Sequence, residues 1–531
     1  MLDALIINVG NKIEVYQDLS KELSASEPPT YLLLVARYLL NLGYRIEVLD
    51  IPVCDMSNDQ IIDYVEKNNP TLCIVGVFGQ QPSASTQNIF SARQICNLLK
   101  LANINQQIMI MGVHPAALPV STLREENVDF ICTSEGFKTA DKLIKYLRSE
   151  ITIDEVPDIY YNKEKPTFTF KDKLFSETEL NVLLYSPVWD FVDMSKYYSH
   201  NWHALTNNNI RTPYASIYSS LGCPYKCFEE NTMIITGFGQ KSKKAKDIKI
   251  GDKLLSFDEN HGKLEETEVT YIFNNKTNEL LKITFEDNKS LNVTEEHPFY
   301  VKQQWIEAKN LNVGDEIYSI TIYDKLNKNP EYNGKKIINI EKIYGNFNIV
   351  NFSCSPYENY FANYILSHNC NFCCVNSMYD DMSKGPRSYR LWDPSSVIRQ
   401  ITELVEEYGV KNIKIVDEMF ALNYNHVEKI CDLIIERSYD LNIWAYARVD
   451  SIKEEYLDKM RKAGFRWLAL GIESASKFVR DGANKKYSNQ DIIDSVKTIQ
   501  NHDICVMGNY MFGLPDDTLE SMQETLNLAQ E

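Results

Sequence analysis

The 531-residue sequence predicts two α/β units, the second of them split by an all-β insert. Three observations predict this. Residues 1–150 and 370–531 alternate apolar strands with amphipathic helices, the pattern of parallel sheets with crossover helices. Residues 227–369 instead run in short apolar/polar alternations separated by turn signals, which is an antiparallel β pattern. Finally, cysteines stand at both edges of the insert, Cys223-Pro-Tyr-Lys-Cys227 before and Cys370-Asn-Phe-Cys373 after. Joining Lys226 to Cys370 makes them read C-x3-C-x2-C.

The first unit has strand candidates at Ala4–Val9, Arg45–Leu49, Leu72–Phe78, Gln107–Met111 and Asp129–Cys132. Helix candidates lie between them at Thr30–Leu42, Asn58–Asn68, Thr86–Leu101 and Lys138–Arg148. Five strands with crossover helices make a doubly wound parallel sheet, which binds ligands at the carboxyl ends of its strands. Residues 151–210 hold few periodic elements, and Tyr185–Asp190 suggests a linker draped over the domains. The second unit starts with the strand Tyr214–Ser220, directly before Cys223, in the segment 211–226. The insert follows, with alternating runs at Leu281–Phe285, Leu291–Val293 and Lys336–Ile343 and turns at Glu286–Lys289 and Asn333-Gly334. The second unit then resumes. Lys411–Phe420 is a strand ending in Asp417 and Glu418. Asn442–Arg448 ends in a cation. Trp467–Ser474 ends in Gly471-Ile-Glu473-Ser474, and Val506–Pro515 follows. Polar groups at successive strand ends outline the mouth of a partial β/α barrel. The sequence ends at Glu531 within the next helix, so a sixth strand is expected from a longer chain or from a second chain.

Composition bounds the function. A hydrophobic content of 44% and a charged content of 24% are ordinary for a globular chain. A formal charge of −18 argues against general nucleic-acid binding. No apolar run reaches the length needed to span a bilayer, and the first residues lack a secretory pattern. The 12 cysteines are scattered or metal-spaced rather than laid out as a disulfide framework, which fits a reducing cytoplasm.

The residues at the insert's edges and interior fit one chemistry. The insert begins Cys227-Phe-Glu-Glu-Asn-Thr-Met-Ile-Ile-Thr236 and contains Val293-Thr294-Glu-Glu-His297-Pro298. It ends Tyr364-Ile-Leu-Ser-His368-Asn369, before Cys370. On these blocks it resembles an intein, a self-splicing segment, and its length resembles that of a mini-intein with a Hint domain alone. The resemblance implies that Cys227 attacks the carbonyl carbon of Lys226 to give a thioester. Thr294 and His297 polarise that amide and protonate its nitrogen. Cys370 then takes the acyl group. Asn369 cyclises through its side-chain amide, assisted by His368, and an S-to-N shift leaves a Lys226–Cys370 peptide bond. Proximity drives each step, so the junctions must lie close together. Where the family usually has Asp and then His, this sequence has Asn351 and Glu358. Those two substitutions bear on the rate of the second step.

The joined cysteine motif and the strand ends resemble the radical SAM superfamily over residues 211–226 and 370–531. The resemblance implies that Cys223, Cys370 and Cys373 hold a [4Fe–4S] cluster and leave one iron open for S-adenosylmethionine. Reductive cleavage of that cofactor then gives a deoxyadenosyl radical. Phe372 fits the aromatic of the motif, and Cys374 reads as a free thiol. Asp417 and Glu418 fall where the family contacts the methionine amino group, Arg448 near its carboxylate or ribose, and Glu473-Ser474 at the family's G-I-E-S strand end. In the first unit, Glu27–Arg37, Gly112–Pro119 with His114, and Ser134–Thr139 resemble the Rossmann-like cobalamin-binding domain that precedes many radical SAM domains. The D-x-H-x-x-G loop of that family is absent, so His114 is expected to contact the cofactor without an assigned role on cobalt. A Rossmann-like domain without cofactor is the alternative.

The resemblances together imply a self-splicing precursor of a cobalamin-dependent radical SAM enzyme acting on a small molecule, with flavodoxin or ferredoxin as electron donor. Methyl transfer to an unactivated carbon is the usual activity of that architecture, and oxidative ring closure is the alternative within it. A zinc module built from Cys223, Cys227, Cys370 and Cys373 accounts for four cysteines. It leaves Thr294, His297, His368 and Asn369 without a role.

Overall fold

The computed structural model describes residues 2–10, 17–21, 24–54, 56–81, 84–222, 228–238, 242–259, 261–295, 297–302, 304–320, 333–357, 359–368, 377–379, 389–482, 487–514 and 517–531. The expected Cys223, Cys227, Glu358, Asn369, Cys370, Cys373 and Cys374 lie outside the described residues.

The first unit is a seven-stranded sheet flanked by helices. Five strands run parallel, in the spatial order Ile46–Asp50, Ala4–Asn8, Leu72–Val77, Ile108–Gly112, Phe130–Cys132. They match the expected strands to within a residue or two at each end. Two further strands, Ile159–Tyr161 and Thr167–Phe168, add antiparallel to the edge. These fall in the segment expected as a linker. They are too short, at 3 and 2 residues, to print an alternation in the sequence. Local chemistry fixes the helices. Asn58–Asn68 starts in a reciprocal Ser57/Gln60 capping box and stops at left-handed Asn69. Thr30–Asn41 is buried along its whole first two turns, because it is packed from both sides.

The second unit is a sheet of five parallel strands in sequence order: Tyr214–Ile217, Asn412–Ile415, Asn442–Arg448, Phe465–Glu473 and Cys505–Tyr510. Helices Pro394–Tyr408, Tyr424–Arg437, Glu454–Lys462 and Asn489–Asn501 connect them. The first of these has Pro394 in its opening turn and left-handed Gly409 at its end. One apolar core runs through both units, from Ile6, Leu33 and Met109 to Ile217, Ile413 and Leu468. A second core covers the far face of the first sheet, with Leu5, Val75, Ile95 and Ile110.

The insert is all-β, as expected. Its twelve described strands form one folded sheet around two apolar layers, one on Phe228, Ile283, Val293 and Phe352, the other on Leu255, Tyr300 and Phe361. Two 23-residue strands, Lys263–Phe285 and Asn333–Ser355, pair antiparallel along most of their length. Register shifts at Val269/Tyr271, Thr277/Glu279 and Thr284/Phe285 bend this ribbon around the core.

Candidate functional site

The insert's own centre forms around Phe228, the residue after Cys227. Phe228 pairs with Val293 on one side and Val350 on the other. Thr294 is therefore one residue beyond a pairing with the N-terminal junction strand. A tight turn, His297 N–H to Thr294 O at 3.0 Å, brings His297 back over it. The fully buried His297 ring lies 4.0 Å from the Phe228 ring, centroid to centroid, and 5.2 Å from Phe299. Phe299 pairs with Ser367, and Asn359 pairs with His368. Thr294, His297 and the backbone of His368 thus come together from three strands, beside both ends of the insert. Asn351, next to Val350, is 1% exposed. Its Oδ1 accepts from Tyr360 O–H at 2.6 Å and from Phe352 N–H at 2.8 Å.

The barrel mouth is built by the strand ends. Asp417 is 1% exposed. Its carboxylate accepts from Ser219 N–H at 2.7 Å, Ser219 Oγ at 2.5 Å and Ser220 Oγ at 2.8 Å. Burial pushes its pKa up to about 6, against these hydrogen bonds that pull it down. Glu418 points to the first unit, where Gln81 donates to it at 3.0 Å. Arg448 is paired bidentately with Asp450 two residues on, at 2.8 and 2.7 Å. Glu473 is buried with φ +66, a conformation that a non-glycine residue holds only under constraint, and its carbonyl accepts from Met511 N–H at 2.8 Å. Ser474 is fully buried, and its hydroxyl lies 3.2 Å from that of Thr525. Buried Arg480 donates to the carbonyls of Ser474 and Ala475 at 2.6 and 2.7 Å, which holds this strand end in place. The structure thus brings Asp417 with Glu418, Arg448 and Glu473 to three successive strand ends and turns Ser474 into the core. Among the described residues no group of three His, Cys, Asp or Glu side chains could hold a metal ion. The thiols suited to iron are the cysteines of the split motif, which begins three residues after Ser220.

The carboxyl ends of the two sheets face each other across one cleft. Asn8, Gly10, Gly79 and Gln80 line it from the first unit, and Ser216, Tyr218 and Val416 from the barrel. Ala25 and Ser26 also line it, beside the rings of Tyr31, Phe78 and Tyr218. His114 does not line this cleft. Its Nδ1 lies 3.0 Å from Thr86 Oγ1, and burial pulls its pKa down. Gly112 before it has φ +136, where an added Cβ would collide with the Val77 carbonyl oxygen. Under the cleft, Lys414 Nζ is fully buried, 3.0 Å from both carboxylate oxygens of Glu27, and it also donates to Gln80 O. Sequence reasoning missed Lys414, Glu27, Ser219 and Ser220. Lys414 did leave a signal, as a lone cation in the apolar strand Asn412-Ile-Lys-Ile415. On the barrel rim, Glu307, Lys309 and Asn310 of the insert share a crevice with Val449, Asp450, Tyr487 and Asp491.

Three family models match the chain: the B12 binding domain over residues 20–144, the Pretoxin HINT domain over 233–357 and the Radical SAM superfamily over 367–529. An uncharacterized methyltransferase of Pyrococcus horikoshii is 29% identical over 163 residues, 31% of this chain and 34% of that protein. An anaerobic magnesium-protoporphyrin IX monomethyl ester cyclase of Cereibacter sphaeroides is 27% identical over 197 residues, 36% of this chain and 32% of that one. The matched segments therefore span about a third of these relatives. In fold, the chain is similar to the radical S-adenosylmethionine methyltransferase TsrM of Kitasatospora setae. The TM-score is 0.54 at 13% identity, covering 99% of this chain and 70% of that one. The radical SAM domain carries with it a [4Fe–4S] cluster and S-adenosylmethionine, and the B12-binding domain carries cobalamin. The chain thus joins a B12-binding domain to a radical SAM domain, with an intein-like HINT domain set between the two parts of the latter.

Proposed function

We propose that this chain is a self-splicing precursor. The HINT domain, residues 227–369, excises itself and joins Lys226 to Cys370, which restores C-x3-C-x2-C and completes the ligand set Cys223, Cys370 and Cys373. The observation that carries this reading is the packing of His297 against Phe228, with Thr294 beside the same junction strand. There His297 can give a proton to the departing amide nitrogen as Cys227 takes the acyl group, and in this reading His368 assists cyclisation of Asn369. The test is direct. Under reducing conditions the wild-type chain yields a free insert and a joined host. Asn369→Ala blocks release at the C-terminal junction, and Cys227→Ala blocks joining. Intact chain after long incubation refutes the proposal.

The joined host acts, in this reading, in a reducing cytoplasm on a small molecule, with a flavodoxin or ferredoxin as electron donor. When bound, the reduced cluster supplies an electron to cleave S-adenosylmethionine and cobalamin carries a methyl group. The chain's own part is to hold the two sheet ends face to face and to carry the strand Tyr214–Ile217 toward the cluster cysteines. Arg448, Glu418 and Glu473 are the mouth groups assigned to S-adenosylmethionine. A second reading, oxidative ring closure, is favoured by the similarity to the cyclase. S-adenosylhomocysteine formed alongside deoxyadenosine supports methyl transfer, and deoxyadenosine alone supports ring closure. Zinc in place of iron after anaerobic reconstitution would count against both.

A further inference from the structure

Asp417 stands at the end of its strand beside Glu418, where a cofactor contact is expected, yet its carboxylate is occupied by one short segment. Ser219 N–H, Ser219 Oγ and Ser220 Oγ all donate to it within 2.8 Å. A carboxylate offers about four acceptor positions, and three of them are filled here. Ser219 and Ser220 belong to the host segment before the insert and Asp417 to the segment after it. The same seam continues on both sides. Val416 N–H donates to Ile217 O at 2.8 Å and Trp392 N–H to Ser219 O at 3.0 Å, while Ser220 and Leu221 pair with Leu391 and Arg390. The two host segments are therefore already bonded together at the entrance to Cys223 while the insert is in place.

We propose that Asp417 is a positioning residue. It grips Ser219 and Ser220 across the splice site and so sets the path of the chain into Cys223, both for joining and for the cluster afterwards. This deepens the reading of residues 227–369 as a splicing element, and one arm of its test does not depend on that reading. In the unspliced Asn369→Ala chain, hydrogen exchange of residues 214–222 is compared for Asp417, Asp417→Asn and Asp417→Ala. Loss of three hydrogen bonds to a buried carboxylate is expected to speed exchange there by about tenfold or more in Asp417→Ala. Asp417→Asn, which keeps an acceptor oxygen for Ser219 N–H and an amide that serine hydroxyls can accept from, is expected to hold most of the protection.

In the splicing chain, Asp417→Ala is expected to slow joining and to lower the iron held per joined host after anaerobic reconstitution, with both restored by Asp417→Asn. The affinity of the remaining loaded host for S-adenosylmethionine stays within about twofold, because Ser219 and Ser220 already take three of the about four acceptor positions of Asp417. Ser219→Ala with Ser220→Ala should reproduce the Asp417→Ala effect without touching the carboxylate. Unchanged exchange in Asp417→Ala overturns the proposal. So does a variant that joins and holds iron normally but loses affinity for S-adenosylmethionine. A wild-type chain that fails to splice refutes the splicing reading instead and leaves the exchange arm to decide the role of Asp417.

Discussion

Glu27→Gln is the most informative single change, because it removes half of a charge pair that is almost wholly buried. Lys414 Nζ lies 3.0 Å from both Glu27 oxygens, with side-chain exposures of 0% and 10%. Burial is the largest influence on each group, and it pulls Lys414 below the ordinary lysine range and pushes Glu27 above the carboxylate range. The pair is therefore held by mutual compensation. Breaking such a pair from one side costs about 3–5 kcal/mol, because the remaining charge stays buried. For domains of this size that corresponds to a fall of roughly 6–20 °C in the midpoint of the host transition. The assay is thermal unfolding in an Asn369→Ala background, so that every sample is the same unspliced chain. Adding Lys414→Met should recover most of the loss, since it removes the orphaned charge. The deficit also has a pH signature. With Glu27 neutralised, Glu418 is the carboxylate left to favour the charged lysine, and the native pKa of Lys414 falls further below the unfolded value. Between those two values the unfolded chain binds more protons, so the stability of Glu27→Gln rises with pH and the gap to wild type narrows. A midpoint shift under about 2 °C would refute the reasoning, as would a double variant weaker than Glu27→Gln.

Three further outcomes are expected. His297→Ala should abolish hydroxylamine-sensitive cleavage at Cys227, because the buried ring against Phe228 is lost; normal thioester formation would remove His297 from the mechanism. Cys373→Ala should lose the four-iron absorption of the joined host while Cys374→Ala keeps it, as read by iron content, and the reverse result would shift the ligand register by one residue. Gly112→Ala should destabilise the first unit by about 3 kcal/mol or more, measured by denaturant midpoint, since its φ of +136 and the Val77 carbonyl oxygen leave no space for a methyl group.

The sequence carried the periodic elements well and the non-local contacts poorly. Most strands of the first sheet and of the barrel were legible because they bury a continuous apolar run, such as Ala4–Ile7 or Leu72–Val77. Ile159–Tyr161 and Thr167–Phe168 were not, since edge strands of 3 and 2 residues leave no period. Lys336–Ile343 was legible as a strand but not as part of a 23-residue ribbon, because register-shifted alternation reads as several short runs. At the site, the resemblance to intein blocks marked Thr294, His297 and His368, which neither composition nor periodicity singles out. Asp417 was legible as a strand-end carboxylate, but its partners Ser219 and Ser220, on the far side of the insert, could be found only from the fold. Glu27 and Lys414 meet across even more of the chain, and no local pattern links them.

The Glu27–Lys414 pair also bears on when the first unit can receive its large ligand. Together with Thr30 Oγ1, which donates to Ser216 O at 2.6 Å, it rivets the two sheets at the floor of the cleft they share. One continuous core then seals the joint. Prising the units apart to admit a macrocycle would strip a buried ammonium of its counter-ion and open that core. The cheapest moment for entry is during folding, before the joint closes. Cobalamin should therefore be supplied to the growing cells that make the chain, and material purified without it should take it up slowly, at the rate of partial unfolding rather than of diffusion.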